Sequence, residues 1–262
     1  MTRRGGRYTS PTRAGGDTMN TRSTSLTRVV GPAVVVIVPL VAAAWLPPGF
    51  PHLVRQVLLC IWGVGAILVA ERMLFSDTLK EALRAVGLVH ARKSTLEVAL
   101  LASLPMWAFL PIFAWTNGTA IDLRPEWLSL LLGVVLVNGV TEEVIHRGFV
   151  FGHLRRGLSF ATAATVSAML FAAQHLYIIV TMGWTIGLAS VLLAALLAYP
   201  LAFVFDRDNS IAGPAILHTS SNAPVMILAL PEDFMTTALL PHMGVIIVSL
   251  FLLFIVQQPA TR

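Results

Sequence analysis

The chain alternates between long apolar runs and short polar connections from residue 29 almost to its end. A helix needs roughly 20 apolar residues to cross the hydrocarbon core of a membrane. Eight runs approach or exceed that length, namely 29–46, 55–75, 96–115, 127–154, 160–181, 184–205, 210–230 and 238–257. They are continuous, whereas membrane β-strands would alternate over segments of about ten residues. The pattern therefore predicts an all-α, polytopic membrane bundle of about eight transmembrane helices.

The composition supports this prediction, because 56% of the residues are hydrophobic and only 12% are charged. Soluble domains average roughly 45–50% apolar and about 25% charged residues. Residues 1–28 are polar and rich in arginine, which predicts a disordered basic arm. We expect one bundle over 29–257, a short cytoplasmic tail over 258–262, and no soluble domain. The single cysteine, Cys60, excludes an intramolecular disulfide.

The distribution of positive charge predicts the orientation of the bundle. Fifteen of the 18 Lys and Arg residues fall on one side of the predicted spans, Arg55 and Arg124 fall on the other, and Arg147 lies within a run. The positive-inside rule therefore predicts an even number of spans in the cell membrane, with both termini cytoplasmic. The net charge of +5 follows from this topology and does not indicate a nucleic-acid partner.

Two adjacent glutamates, Glu142 and Glu143, lie inside the run 127–154. A carboxylate within a membrane costs at least ~2.5 kcal/mol and usually faces a partner or a water-filled cavity. Glu143 and Arg147 are spaced as an i,i+4 ion pair, which leaves Glu142 as a candidate general base for activating water. The alternative is that all three residues form an ion-pair cluster that only holds helices together.

His175 lies on the next run, at about the same depth as Glu142. The connection between the two runs falls near Gly157, and both residues are roughly 22–26 Å of helix away from it at 1.5 Å per residue. A carboxylate and an imidazole at one level are able to share a water molecule. The alternative role for His175 is an interhelical hydrogen bond, and Phe171, one turn earlier, packs beside it or walls the site.

His218 and Asn222 are four residues apart, so both side chains leave the same face of the run 210–230. They are candidate donors to a developing oxyanion, or His218 is a metal ligand. The alternative is that they are polar contacts in a packed bundle. The sequence has neither an H-E-x-x-H motif nor a G-x-S-x-G elbow, so it lacks the common zincin and serine-hydrolase signatures.

Three motifs occur in order: E-E-x-x-x-R from Glu142 to Arg147, F-x-x-x-H from Phe171 to His175, and H-x-x-x-N from His218 to Asn222. Together they resemble the CPBP family of intramembrane endopeptidases, which includes the CAAX prenyl endopeptidases and the bacterial Abi proteins. The likeness covers the motif core 127–230.

The resemblance implies a membrane-embedded hydrolase that cleaves a membrane protein or a peptide, of which a lipidated CAAX substrate is one alternative. It implies that Glu142 activates water with His175 and that His218 and Asn222 stabilise the oxyanion. Glu143, Arg147 and Phe171 would support the site. The family is described both as a metalloprotease family, with zinc held here by Glu142, His175 and His218, and as metal-independent.

Two other functions remain open from the sequence. The bundle is alternatively a non-proteolytic bacteriocin-immunity or regulatory protein of the same fold, or a transporter whose Glu and His side chains relay protons. For a peptidase, we expect one polar cavity around Glu142, His175, His218 and Asn222. We expect it to open toward the cytoplasm or sideways to lipid.

Overall fold

A computed structural model of the chain describes residues 25–43 and 51–256. Its helices are α1 (Leu26–Ala42), α2 (His52–Leu74), α3 (Leu79–Ala85), α4 (Lys93–Thr116), α5 (Trp127–Arg155), α6 (Phe160–Gln174), α7 (Tyr177–Met182), α8 (Trp184–Asp208), α9 (Ala212–Ile227) and α10 (Glu232–Val256). Two short strands, β1 (Asp122–Leu123) and β2 (Leu228–Ala229), pair antiparallel. The fold is an all-α membrane bundle, as the apolar runs predict.

The long helices follow the predicted runs in order, with α6 and α7 together covering the fifth run. Helices are expected here because each satisfies its own backbone hydrogen bonds in lipid. Within the described residues, five helices are long and apolar enough to cross a membrane: α2, α4, α5, α6 joined to α7, and α8. Together they make the chain an integral membrane protein. The count of eight spans stays a prediction, because α1 and the apolar part of α10 are shorter.

The predicted boundaries differ slightly at the N-terminus. Helix α1 begins at Leu26 after the cap residue Ser25, so the last residues of the predicted arm 1–28 are helical. The remaining arm residues, 1–24, lie outside the described residues, as does the predicted tail 258–262.

Helix α5 is central and departs from the regular helical geometry that the sequence predicts. It forms π-helical turns over Val135–Glu142 and again over Val144–Phe151. The Thr141 hydroxyl donates to the carbonyl of Leu136, five residues earlier, at 2.8 Å, which matches the wider turn. π-Helical turns are rare and frequently lie at functional sites.

Ion pairs and backbone contacts hold the helices together at one end of the bundle. At the end that carries the basic loops, Arg92 pairs with Asp208 at 3.2 Å and Arg155 pairs with Asp206 at 3.1 Å. The α3–α4 connection also accepts a backbone bond from Ile211 at Gly87. Gly87 has φ +77°, and a Cβ there would lie 2.6 Å from the Phe205 ring. We call the end held by these contacts the basic end. We call the opposite end, which carries β1 and β2, the strand end.

Candidate active site

Glu143 is completely buried and anchors an ion-pair network between α5 and α9. Its Oε1 accepts hydrogen bonds from Arg147 Nη1 at 3.0 Å and from His218 Nδ1 at 2.7 Å. Because a carboxylate only accepts, His218 must carry its proton on Nδ1. The contact with Arg147 is the i,i+4 pair expected from the sequence. The contact with His218 joins two of the three motifs.

Glu142 is turned toward a different set of partners. Its Oε1 accepts from Gln174 Nε2 at 2.9 Å. Its Oε2 lies 3.6 Å from His218 Nε2, which is beyond a hydrogen bond. This oxygen is buried and has no hydrogen-bond partner among the residues that the structure describes. Glu142 Oε2 and His218 Nε2 therefore face each other just beyond hydrogen-bond distance.

Phe171 lies at the centre of the cationic and imidazole groups. The Arg147 guanidinium stacks over its ring at 4.4 Å from the centroid. Its ring makes edge contacts with His146, His175 and His218 at centroid distances of 4.9, 4.7 and 5.4 Å. Stacking on an aromatic face partly compensates a desolvated guanidinium, so Phe171 supports the buried Arg147 and separates the histidine rings.

His175 lies at the C-terminal cap of α6, where the helix ends and turns into α7. Its Nδ1 bonds to the carbonyl of Phe171 at 2.8 Å, and this carbonyl can only accept. The proton is therefore on Nδ1, and Nε2 is left as an acceptor. The structure brings His175 against Phe171 and does not bring it into hydrogen-bond contact with Glu142.

Asn222 lies one turn beyond His218 on α9 and is half-buried. Its side chain forms no hydrogen bond within the described part of the chain. Met226, one further turn along, lines a cavity of about 370 Å³. Since residues four apart share a helix face, His218, Asn222 and Met226 form a row from the buried carboxylates to the cavity wall.

The cavity reaches Glu142 and Gln174, and its other walls come from the strand end of the bundle. These walls are the end of α1 (Leu40, Val41, Ala43), the start of α2 (His52, Arg55, Gln56, Leu59), the first half of α5 (Leu130, Gly133, Val134, Val137, Asn138) and α7 (Tyr177, Thr181, Met182). His175, His218 and Asn222 do not line it. The sequence predicts one cavity around Glu142, His175, His218 and Asn222. Of these four residues, the observed cavity is lined only by Glu142.

The direction of the cavity conflicts with one of our expectations. Under the predicted orientation, the basic end is cytoplasmic and the strand end is not. The cavity lies at the strand end, so an opening toward the cytoplasm is incompatible with that orientation.

The predicted zinc ligands do not form a ready metal site. Across 25–43 and 51–256, no group of three His, Cys, Asp or Glu side chains is placed to hold a metal ion. The Nδ1 atoms of His175 and His218 are already bonded, which leaves one nitrogen on each ring.

Sequence reasoning missed Gln174, which connects two parts of the site. Its Nε2 donates to Glu142, and its Oε1 accepts from His146 Nε2 at 2.8 Å. His146 is completely buried. The signal that was available is a glutamine next to His175 inside an apolar run, where an unpartnered amide is costly.

Part of the chain matches the model of a known protein family. Residues 124–224 match the family model described as Type II CAAX prenyl endopeptidase Rce1-like. No curated protein and no solved structure matched the chain. The matched segment includes both glutamates, His175, His218 and Asn222, so the resemblance drawn from the three motifs is confirmed. The match supports a membrane-embedded protease at the level of the matched family.

Proposed function

We propose that the chain is an intramembrane endopeptidase in which Glu142 activates the attacking water. The observation that carries this proposal is that Glu142 lines the end of a cavity of about 370 Å³, while its buried Oε2, 3.6 Å from His218 Nε2, has no hydrogen-bond partner among the described residues. A satisfied structural carboxylate would not need such access. Volumes of roughly 300–1,000 Å³ are usual for ligand sites.

The proposed reaction starts with water held between Glu142 and the scissile carbonyl. Glu142 accepts a proton as the water oxygen bonds to the carbonyl carbon, and the carbonyl oxygen becomes an oxyanion. His218, protonated at Nε2, and the Asn222 amide donate to this oxyanion. Glu142 then gives its proton to the leaving amine as the peptide bond breaks.

Glu143 positions His218 in this scheme. Its carboxylate holds the imidazole through Nδ1 and so orients Nε2, as the third group of a triad does. Arg147 balances the remaining negative charge of the two carboxylates. We assign His175, whose Nε2 is an acceptor, to assist water activation from the α6 side.

The test is substrate trapping in cells that carry Glu142→Gln. Membrane proteomes of wild-type and variant cells are compared for new protein N-termini, with Glu126→Gln, an exposed glutamate before α5, as matched control. Termini lost only in Glu142→Gln identify substrates and support the proposal. An unchanged set of termini would contradict it and favour the non-proteolytic immunity or regulatory role.

Lipidation of the substrate and zinc dependence, which the family resemblance implies, are alternatives to a metal-free reaction on an unmodified peptide, and both are tested on the trapped substrate. Cleavage of a prenylated but not an unmodified form would support CAAX-type specificity. Chelation that lowers the rate, followed by recovery on adding zinc, would support the metal that the resemblance implies.

We also infer that the protein lies in the cell membrane with both termini in the cytoplasm. The support is the concentration of Lys and Arg at the basic end. Reporter fusions after Lys93 and Arg156 should report cytoplasm, and a fusion after Asn117 should report the opposite side. An external signal after Arg156 would contradict this orientation.

A further inference from the structure

The cavity that ends at Glu142 is continuous with the strand end of the bundle. On α5, the lining residues run from Leu130 to Asn138, all on the N-terminal side of Glu142. The lining parts of α1, α2, α7 and α9 are likewise the parts of those helices nearest the strand end. The walls of the cavity thus lie on the strand-end side of Glu142.

The other side of Glu142 is filled by side chains. Every residue of Val144–Phe151 is buried. Phe149 and Phe151 pack in one apolar cluster with Phe205, near the end of α8, and with Val86 and Ile211 from the connections at the basic end. Protein interiors of this kind leave few voids larger than a water molecule.

Backbone contacts hold this apolar layer against α5. A Cβ added at Gly148 would lie 2.2 Å from the carbonyl oxygen of Val86, so the α3–α4 connection rests directly on the helix. The bond from Ile211 to Gly87 at 3.0 Å ties that connection to the start of α9. A peptide approaching from the basic end would have to displace this layer and break these contacts.

The walls of the cavity suit a hydrated peptide better than lipid chains. Polar side chains from three elements line it, among them Arg55, Gln56, Asn138 and Thr181. At roughly 30 Å³ per water, its volume of about 370 Å³ corresponds to about a dozen water molecules. Water at Glu142 is also what the proposed hydrolysis consumes.

We propose that the substrate reaches Glu142 from the non-cytoplasmic face, through the cavity at the strand end. The substrate class is then a peptide segment exposed on that face: an exported peptide or the outer juxtamembrane part of a membrane protein. A lipidated tail presented from the cytoplasm is the competing class. This inference rests on the proposed peptidase function for its substrate and on the positive-inside rule for its sidedness.

The first test measures access without relying on proteolysis. In full-length protein carrying Cys60→Ser, single cysteines are introduced as Asn138→Cys in the cavity wall or Lys80→Cys on exposed α3 at the basic end. Spheroplasts are treated with a membrane-impermeant charged maleimide before or after lysis. We expect Asn138→Cys to be labelled in intact spheroplasts and Lys80→Cys only after lysis.

Other labelling patterns would overturn the inference. They are labelling of Asn138→Cys only after lysis, no labelling of it under either condition, or labelling of Lys80→Cys in intact spheroplasts. Thr181→Cys, at an exposed position of the same cavity, provides a second variant if Asn138→Cys does not fold.

The second test measures where cleavage occurs. The N-termini that depend on Glu142 should map to the non-cytoplasmic side of their proteins. Maleimide added to intact spheroplasts should abolish their formation by Asn138→Cys and leave Lys80→Cys active. Glu142-dependent termini on the cytoplasmic side would overturn this inference while the peptidase function stands. A loss of the peptidase function would instead appear as no Glu142-dependent termini, whatever the labelling.

Discussion

Two buried Glu–His clusters involve α5, one near its middle at Glu142 and one near its C-terminal end at His153, and they are built differently. At the basic end, Glu71 bonds to His153 Nε2 at 2.5 Å and to the Ser76 hydroxyl at 2.7 Å. Arg156 Nη1 approaches His153 Nδ1 at 3.3 Å, and Phe75 stacks on the imidazole at 4.0 Å. Both carboxylate oxygens and both ring nitrogens of this cluster have partners.

In the cluster around Glu142, several buried polar atoms have no hydrogen-bond partner within the ranges that the structure covers. They are Oε2 of Glu142, Oε2 of Glu143, Nε and Nη2 of Arg147, and Nδ1 of His146. Each such atom costs about 1–3 kcal/mol if nothing binds it. A cluster that only held helices together would be expected to resemble the one at Glu71.

The comparison indicates which polar cluster is structural and which is functional. Both clusters pair a glutamate with a histidine inside the membrane, so residue type does not separate them. They differ in unsatisfied hydrogen-bonding capacity and in access, because the cavity of about 370 Å³ reaches Glu142. Of the residues with unpartnered atoms in the cluster around Glu142, Glu142 alone lines the cavity, and the proposed function supplies water and substrate to it.

The largest effect is expected for Glu142→Gln. Loss of the general base should lower the cleavage rate by about 10²–10⁴-fold. Stability should change little, because the new amide oxygen is able to accept the bond from Gln174. Rates on a trapped substrate and thermal unfolding in detergent provide the two measurements. A stability loss with the rate retained would make this cluster structural, like the one at Glu71.

The next effect is expected for Arg147→Ala, this time on stability. The substitution leaves the Glu143 carboxylate buried with His218 as its remaining charged partner and removes the cation over Phe171. We expect a loss of roughly 3–5 kcal/mol in the free energy of unfolding. Lys80→Ala, at an exposed position, is the matched control and should stay within about 0.5 kcal/mol. Equal losses of unfolding free energy in Arg147→Ala and Lys80→Ala would show that the buried Glu143–Arg147 pair does not stabilise the fold.

A third prediction concerns Asn222, whose amide is free in the structure. Removal of one oxyanion donor by Asn222→Ala should lower kcat by about 10²–10³-fold with little change in KM. A structural role predicts the reverse, namely reduced stability with kcat unchanged. Steady-state kinetics on the trapped substrate, paired with thermal unfolding, distinguish the two.

The fold and part of the site follow from the sequence because they depend on local spacing. Apolar runs predict the helices, and the i,i+4 interval predicts the contact between Glu143 and Arg147. The contact between His218 and Glu143 depends on how α9 packs against α5, which no interval in the chain encodes. The π-helical turns of α5 likewise arise from tertiary packing.

Other features were missed because their residues look ordinary in the sequence. Glu71 stands beside Arg72 near the end of an apolar run, where both are expected to face water. His153, near the basic loop that follows α5, is buried against Glu71. The direction of the cavity depends on the packing of six helices and is visible only in the structure.

The smallest effect, and the sharpest test of the comparison, is expected for Glu71→Gln. The amide keeps the shape of the carboxylate but weakens its charge-assisted bond to His153, so we expect a stability loss of about 1–3 kcal/mol. Cleavage by the folded protein should be unchanged, because this cluster lies behind the apolar layer around Phe149.

A double-mutant cycle that combines Glu71→Gln with His153→Gln should give a coupling energy of about 0.5–3 kcal/mol between the two residues. The same cycle between Glu71 and Glu142 should give none, since they share no partner. A fall in kcat for Glu71→Gln would show that the two clusters act together and that satisfied hydrogen bonds do not mark a structural site here.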